Sequence, residues 1–222
     1  MVQAAQHLGR GTYSVAEAAR LVRMNANTAR AWFGARGRPL LTSDYPRHAG
    51  DFAVSFLDLM EAHAVRKLRE VSVAMPVIRR SRERLVLDLD TTHPFAHRGL
   101  YTDGKNILAD FNKVEDDGNL REALSGQGFF RELQSLLHRV DYHDDSQLIA
   151  RWTAYDDVLI DPEIALGKPA VEGTATHTHI IHRQYYANGE KAGLVADLFD
   201  ITEAQVNHAV EFEESLKEPP AR

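Results

Sequence analysis

Ser14-Val15-Ala16-Glu17-Ala18-Ala19-Arg20-Leu21-Val22-Arg23-Met24-Asn25-Ala26-Asn27-Thr28-Ala29-Arg30-Ala31-Trp32-Phe33 is the stretch whose reading decides the fold. Ser14 followed by Glu17 fits a capping box, in which the serine accepts a backbone amide and the glutamate reaches back to the serine amide. A helix is therefore expected from Val15, where Val15, Ala18, Ala19 and Val22 recur at helical spacing. Met24-Asn25-Ala26-Asn27 breaks that run, and a second helix is expected from Thr28 to Ala35, ending near Gly34 and Gly37. Two short helices joined by a tight turn form a helix-turn-helix, whose second helix enters the major groove with its N-terminal residues against the bases. Asn27, Thr28 and Arg30 occupy those positions, while Trp32 and Phe33 are expected to anchor the helix in the core.

Working outward, Leu40-Leu41-Thr42 and Phe52-Ala53-Val54 flank the polar stretch Ser43 to Asp51 and can form a two-stranded wing. Arg36 and Arg38 sit where such a wing contacts phosphate. Phe56 or Leu57, Met60, Ala64 and Leu68 trace a stripe that predicts a helix over 55–70, and Pro76 suits the first turn of another running to about Leu87. That helix exposes Arg79, Arg80, Arg82 and Arg84 either to a DNA backbone or to solvent. Residues 91–155 read as a bridge: strands over Arg98 to Thr102 and Lys105 to Leu108 around the turn signal Asp103-Gly104, a turn at Glu115 to Gly118, and an amphipathic helix from Phe129 to Val140. Asp141 to Asp145 reads as a polar loop, and Trp152 and Tyr155 as packing anchors.

In residues 156–222 the spacing predicts a short strand at Val158-Leu159-Ile160 and a helix reached through Thr176 to Gln184 and stopped by Asn188-Gly189. Further helices are expected over Ala192 to Phe199 and, behind the capping pair Thr202 and Gln205, from Glu203 to about Leu216. The last helix carries Glu203, Glu211, Glu213 and Glu214, a charge that avoids phosphate, so its apolar positions point to dimerisation or partner packing. Between strand and helices lies Asp161-Pro162-Glu163-Ile164-Ala165-Leu166-Gly167-Lys168-Pro169-Ala170-Val171-Glu172-Gly173-Thr174, whose glycines and prolines fix an unusual backbone path rather than a P-loop.

This signature, with Gly167, Lys168, Pro169, Gly173 and Thr174 as its motif residues, resembles the C-terminal domain of bacterial VapB-type antitoxins. The stretch Tyr13 to Arg38 resembles the helix-turn-helix of MerR-type regulators, and the two-module order covers nearly the whole chain. The resemblance departs at Ala175, where family members usually carry Arg after the Gly-Thr pair. It implies a mainly α protein with small β elements: a winged helix-turn-helix over 1–90, a bridge over 91–155 and an antitoxin domain over 156–222. It also implies a VapC-type PIN-domain ribonuclease as partner, whose carboxylate magnesium site is occluded by an inserted basic side chain, for which Arg183 is the candidate. Operator DNA would be bound by a homodimer that represses its own operon.

Composition agrees with that class. Residues 1–85 hold 14 Arg or Lys against 7 Asp or Glu, and the remainder 12 against 25, so a basic front half precedes an acidic back half. Thirteen of the 14 front-half cations are Arg, suited to bidentate phosphate contacts. There is no cysteine, which excludes thiolate zinc sites, disulfides and cysteine nucleophiles. No apolar run is long enough for a membrane helix and no secretory signal opens the chain, so a cytoplasmic protein is expected. No nucleophile elbow, dinucleotide fingerprint or zincin motif appears, and no enzyme activity or cofactor is expected. His177, His179 and His182 are the one group resembling metal ligands, with His177 and His179 expected on one face of an extended strand, but no carboxylate nearby completes a set. The other function class consistent with these features is a MerR-like regulator that answers to a small molecule and has no toxin partner.

Overall fold

The computed structural model describes residues 10–34, 38–46, 52–102 and 139–217. Arg36, the hairpin signal at Asp103-Gly104, the turn at Glu115 to Gly118, most of the helix expected from Phe129 and the tail after Lys217 lie outside them. Strand β1 (Tyr13–Ser14) runs directly into helix α1 (Val15–Leu21). Ser14 Oγ accepts the Glu17 amide at 3.1 Å, so the serine half of the expected cap forms. The Glu17 carboxylate instead takes Lys168 Nζ at 2.7 Å. Arg23 makes the turn with φ of 52°, and Asn25 Oδ1 accepts the Asn27 amide at 2.8 Å to start α2 (Ala26–Trp32) earlier than the spacing alone suggests.

The expected wing is not formed among the described residues. Strand β2 (Ala53–Val54) pairs antiparallel with β1, with Tyr13 opposite Val54 and Ser14 opposite Ala53. Leu40 and Leu41 fold back over the end of α2, where both their amides donate to the Trp32 carbonyl at 2.8 and 3.0 Å. That carbonyl ends a helix and has no partner within it, and both leucines are buried in the core. Core burial of two leucines, roughly 1.5–3 kcal/mol each, outweighs a solvent-facing ribbon.

Helices α3 (Phe56–Glu70) and α4 (Met75–Asp88) follow, the first behind a capping box of Ser55 and Asp58, the second with Pro76 in its first turn. The strand expected over Arg98 to Thr102 is instead a short helix, α5 (Gly99–Thr102), after a 3-10 turn at Pro94–Ala96. A second antiparallel sheet runs in the order β3 (Val140–Tyr142), β4 (Ile149–Tyr155), β5 (Val158–Ile160) and β6 (Ala170–Val171). Part of the expected polar loop Asp141 to Asp145 is therefore strand. The sheet also continues across 155/156, the expected boundary of the back domain, because β4 and β5 form one hairpin. Helices α6 (Thr178–Ala187), α7 (Ala192–Phe199) and α8 (Glu203–Ser215) close the chain as the spacing predicts, with Gly189 left-handed after α6 and the Thr202–Gln205 capping box before α8. The result is a mixed α and β protein with two small antiparallel sheets.

The main core runs without a break from Tyr13, Val15 and Phe33 through α3 and α4 to Trp152, Ile160, Phe212 and Leu216. A smaller cluster of Val171, Ile181, Val195, Val206 and Ala209 holds α6, α7 and α8 together. At the start of α3 lies a polar hub. His93 Nε2 stands 3.3 Å from both Asp58 Oδ1 and Asp44 Oδ1, while Asp58 Oδ2 accepts the Ser55 and Asp44 amides at 2.8 and 3.1 Å. Alongside, Glu61 accepts the Phe95 amide and Arg82 Nε, at 2.7 and 2.8 Å. Burial alone would lower the His93 pKa, but its hydrogen bonds to Asp44 and Asp58, with the Glu61 charge, raise it to about 10.

A histidine charged in the fold and titrating near 6.5 when unfolded stabilises fully below pH of about 6.5 and loses that contribution as pH rises toward its folded value. The urea midpoint of the protein is therefore expected to fall between pH 7 and about 10 more steeply than that of His93→Gln, which cannot titrate. Parallel pH profiles for the two proteins would contradict the charged hub.

Candidate functional site

The N-terminal face of α2 carries the residues singled out for DNA. Asn27, Thr28 and Arg30 are exposed, whereas Ala29 and Phe33, on the opposite side, are buried and fix the helix to the core. Trp32 is half-buried against that core. Arg38 is exposed beside α2 and pairs with Glu83 at 2.7 Å, the two side chains 74% and 52% accessible. So open a pair contributes at most about 1 kcal/mol, leaving the guanidinium available to a phosphate. The arginines of α4 are largely occupied within the fold. Arg79 donates to the Pro39 and Arg38 carbonyls at 2.6 and 3.3 Å, Arg82 to Glu61 and to the Thr92 carbonyl, and Arg84 to Asp88.

The motif residues of the back half meet this module from behind. Ala165, Leu166 and Gly167 take φ of 51°, 57° and 77°, a left-handed run that presents the Gly167 carbonyl to the Tyr13 hydroxyl at 2.5 Å. Tyr13 is fully buried, and burial together with the nearby Glu17 charge pushes its hydroxyl pKa far up, so it remains a donor. Lys168 Nζ reaches Glu17 at 2.7 Å and the Thr12 carbonyl at 3.2 Å, and lies 5.0 Å from the centre of the Tyr13 ring. One turn further along α1, Arg20 approaches Glu213 of α8 at 3.9 Å, and Glu213 also accepts the Thr178 hydroxyl. Pro169, Gly173 and Thr174 shape the lead into α6. The Pro169 carbonyl accepts the Thr178 amide at 3.0 Å, Gly173 has φ of 77°, and the Thr174 hydroxyl donates to the Val171 carbonyl at 2.9 Å. Sequence reasoning missed this joint because Glu17 and Lys168 stand 151 positions apart and no spacing rule connects them.

Helices α6 and α7 carry exposed side chains. Arg183 is exposed on α6, and Tyr186, Leu194 and Leu198 are exposed large apolar side chains on α6 and α7. The histidines do not lie on a strand as expected: His177 is the residue before α6 and His179 lies within it, their rings stacked at 5.3 Å. The Thr178 amide is drawn into the helix start by the Pro169 carbonyl, which ends the extended path. His182 lies within hydrogen-bonding distance of Glu214 and Lys217. Among the described residues the group that brings three potential metal-ligand atoms together is Asp44, Asp58 and His93. Its imidazole Nε2 lies 3.3 Å from an oxygen of each carboxylate, an ion-paired arrangement.

No protein-family model matches the chain, and no curated protein does. Among solved structures, the chain is similar to Rv2018 from Mycobacterium tuberculosis, with a TM-score of 0.75 and 25% identity over 89% of this chain and 96% of that one. The fold is thus shared over nearly the full length of both proteins.

The joint makes a sharp forecast about two glycines of the motif. A Cβ at Gly167 would stand 2.6 Å from the Tyr13 hydroxyl and 3.2 Å from the Gly11 Cα, whereas at Gly173 nothing lies within 4 Å. Both have positive φ, which costs an L-residue roughly 1–2 kcal/mol. Chemical denaturation is expected to show that loss for Gly173→Ala and a distinctly larger one for Gly167→Ala, because Tyr13 is enclosed and cannot withdraw.

Proposed function

We propose that the chain is the antitoxin of a type II toxin–antitoxin pair, which neutralises a PIN-domain ribonuclease in the cytoplasm and represses its own operon as a homodimer. The observation that carries this reading is the joint of Tyr13 and Glu17 with Gly167 and Lys168, which holds the antitoxin-like motif against the back of the helix-turn-helix while leaving Asn27, Thr28 and Arg30 facing outward. DNA binding and partner binding would use separate sets of exposed side chains, on α2 and on α6 and α7. Helix α2 presents its amide end and a small polar pair to base edges, with Arg30 and Arg38 for phosphate or guanine. Arg36 joins that set by its position in the sequence. The partner would meet the open face of α6 and α7, with apolar Leu194 and Leu198 supplying area and Arg183 the cation for the ribonuclease's acidic site. In this reading the protein has no catalysis of its own and needs no cofactor. No helix of the described residues is long and apolar enough to cross a membrane.

Co-expression with the product of the adjacent gene tests the partner half: a stable complex and relief of growth arrest are expected, and a neighbour that neither co-purifies nor is neutralised would remove the antitoxin assignment. For the DNA half, Arg30→Ala is expected to weaken binding to upstream DNA by roughly 1–3 kcal/mol, and Arg84→Ala, whose guanidinium is already paired with Asp88, by less. Gel-shift titration across a salt series measures both, and equal losses would argue against α2 as the reading helix.

A further inference from the structure

The turn of the helix-turn-helix, α3, the second sheet and α8 meet around a cavity of about 410 Å3 that neither the joint nor the α2 face uses. Its wall is divided by chemistry. Trp152, Phe212 and Leu216 offer an apolar surface from the sheet and the last helix, Arg23, Arg66 and Lys67 bring positive charge from the turn after α1 and from α3, and Arg139 adds a fourth from the strand edge beside Trp152. Two carboxylates are shared among those cations. Glu70 takes both Arg66 and Lys67, at 2.7 and 3.2 Å, and exposed Asp156 takes Arg139 at 3.1 Å. Arg23 has no ion-pair partner among the described residues. Burial, and then the charge of Arg23, hold the Arg66 pKa below its ordinary value despite Glu70. A third carboxylate, Glu211, stands at the wall, accepting the Tyr155 hydroxyl at 2.9 Å.

Two polar atoms at this place also lack partners. Arg66 Nε is buried with nothing to receive its proton, and His63, which lines the cavity with its ring 4.6 Å from that of Trp152, has a buried Nδ1 without a hydrogen bond. Burial and the charges of Arg66 and Lys67 hold the His63 pKa down to about 3, so the ring is neutral and offers one donor and one acceptor nitrogen. Buried polar atoms are ordinarily satisfied, and two unsatisfied ones lie beside this one cavity.

We propose that this cavity binds a small organic anion: a carboxylate or phosphate head held by Arg23, Arg66 and Lys67, and a planar apolar body lying along Trp152, Phe212 and Leu216. Because Leu21, Val22 and Arg23 form part of the wall, the ligand would touch the turn that joins α1 to α2. The inference stands apart from the antitoxin reading, since it needs neither toxin nor operator and its test uses neither.

The test is calorimetric titration of the full chain with naphthalene-2-carboxylate and with adenosine monophosphate, set against naphthalene-2-methanol and inorganic phosphate. At least one of the two organic anions is expected to bind saturably with one site per chain. The neutral alcohol and the bare phosphate are expected to be weaker by about tenfold or more, as are both anions with Arg23→Gln or Lys67→Gln. Arg23 is exposed and Lys67 only half-buried, so folding of these variants is checked by an unchanged circular dichroism spectrum and melting curve. No saturable binding by either anion, equal binding by the alcohol, or undiminished binding in both variants would overturn the proposal.

Discussion

Tyr13 is the point through which the two halves of the chain are held. Its backbone makes half of the two-residue sheet, its ring lies in the main core, and its hydroxyl ends on the Gly167 carbonyl, 154 positions away. For that bond to form, the loop before β6 must take three successive left-handed residues, and two of them, Ala165 and Leu166, bear side chains that disfavour it. The loop holds this shape because Lys168 is tied down on Glu17 and Thr12 immediately afterwards. A buried hydroxyl, a left-handed turn and an ammonium thus depend on one another. Removing any one exposes a polar group or leaves a strained turn without a purpose.

The charge asymmetry of the sequence acquires a second meaning from this arrangement. A basic front and an acidic back suggest a division between DNA and protein partners, yet some of that charge is used where the halves meet. Arg20 faces Glu213 across the joint, and Glu17 with Lys168 runs against the overall polarity, the acid in front and the base behind. A crossed pair of opposite bonds along one helix specifies register better than two bonds of the same sense, because a shift of one turn along α1 would bring like charges together. The hub around His93 works similarly within the front half, where the imidazole and two carboxylates tie the start of α3 to the segment after α4.

What was legible in the sequence is local. Ser14, Thr202 and Gly189 mark helix ends because a cap acts over three or four residues, and α7 and α8 begin and end where the spacing places them. The exposure of Asn27, Thr28 and Arg30 also follows from helical period, once Ala29 and Phe33 are known to face inward. What was not legible is pairing at long range. Strands of two residues, such as β1 and β2, have no alternation to read, so Ala53–Val54 could be assigned to the wrong partner and Leu40-Leu41 to a strand. Arg98 to Thr102 has strand-like composition but folds as a helical turn, and the histidines at 177 and 179 lose their shared strand face to a helix start. The hub and the joint were invisible for the same reason: Asp44, Asp58, His93, Glu17 and Lys168 acquire partners only when the chain is folded.

The contrast between Tyr13 and the outer face of α2 bears on how such a protein can change over evolutionary time. Every group on Tyr13 is committed to the fold, so the position tolerates little. The side chains of Asn27, Thr28 and Arg30 stand in solvent with core packing delegated to their neighbours Ala29 and Phe33. Mutations at those three positions carry almost no folding penalty, so the surface they form can drift, duplicate and diversify while the body beneath it stays constant. Gene copies with one architecture can in this way come to address different targets without passing through an unfolded ancestor.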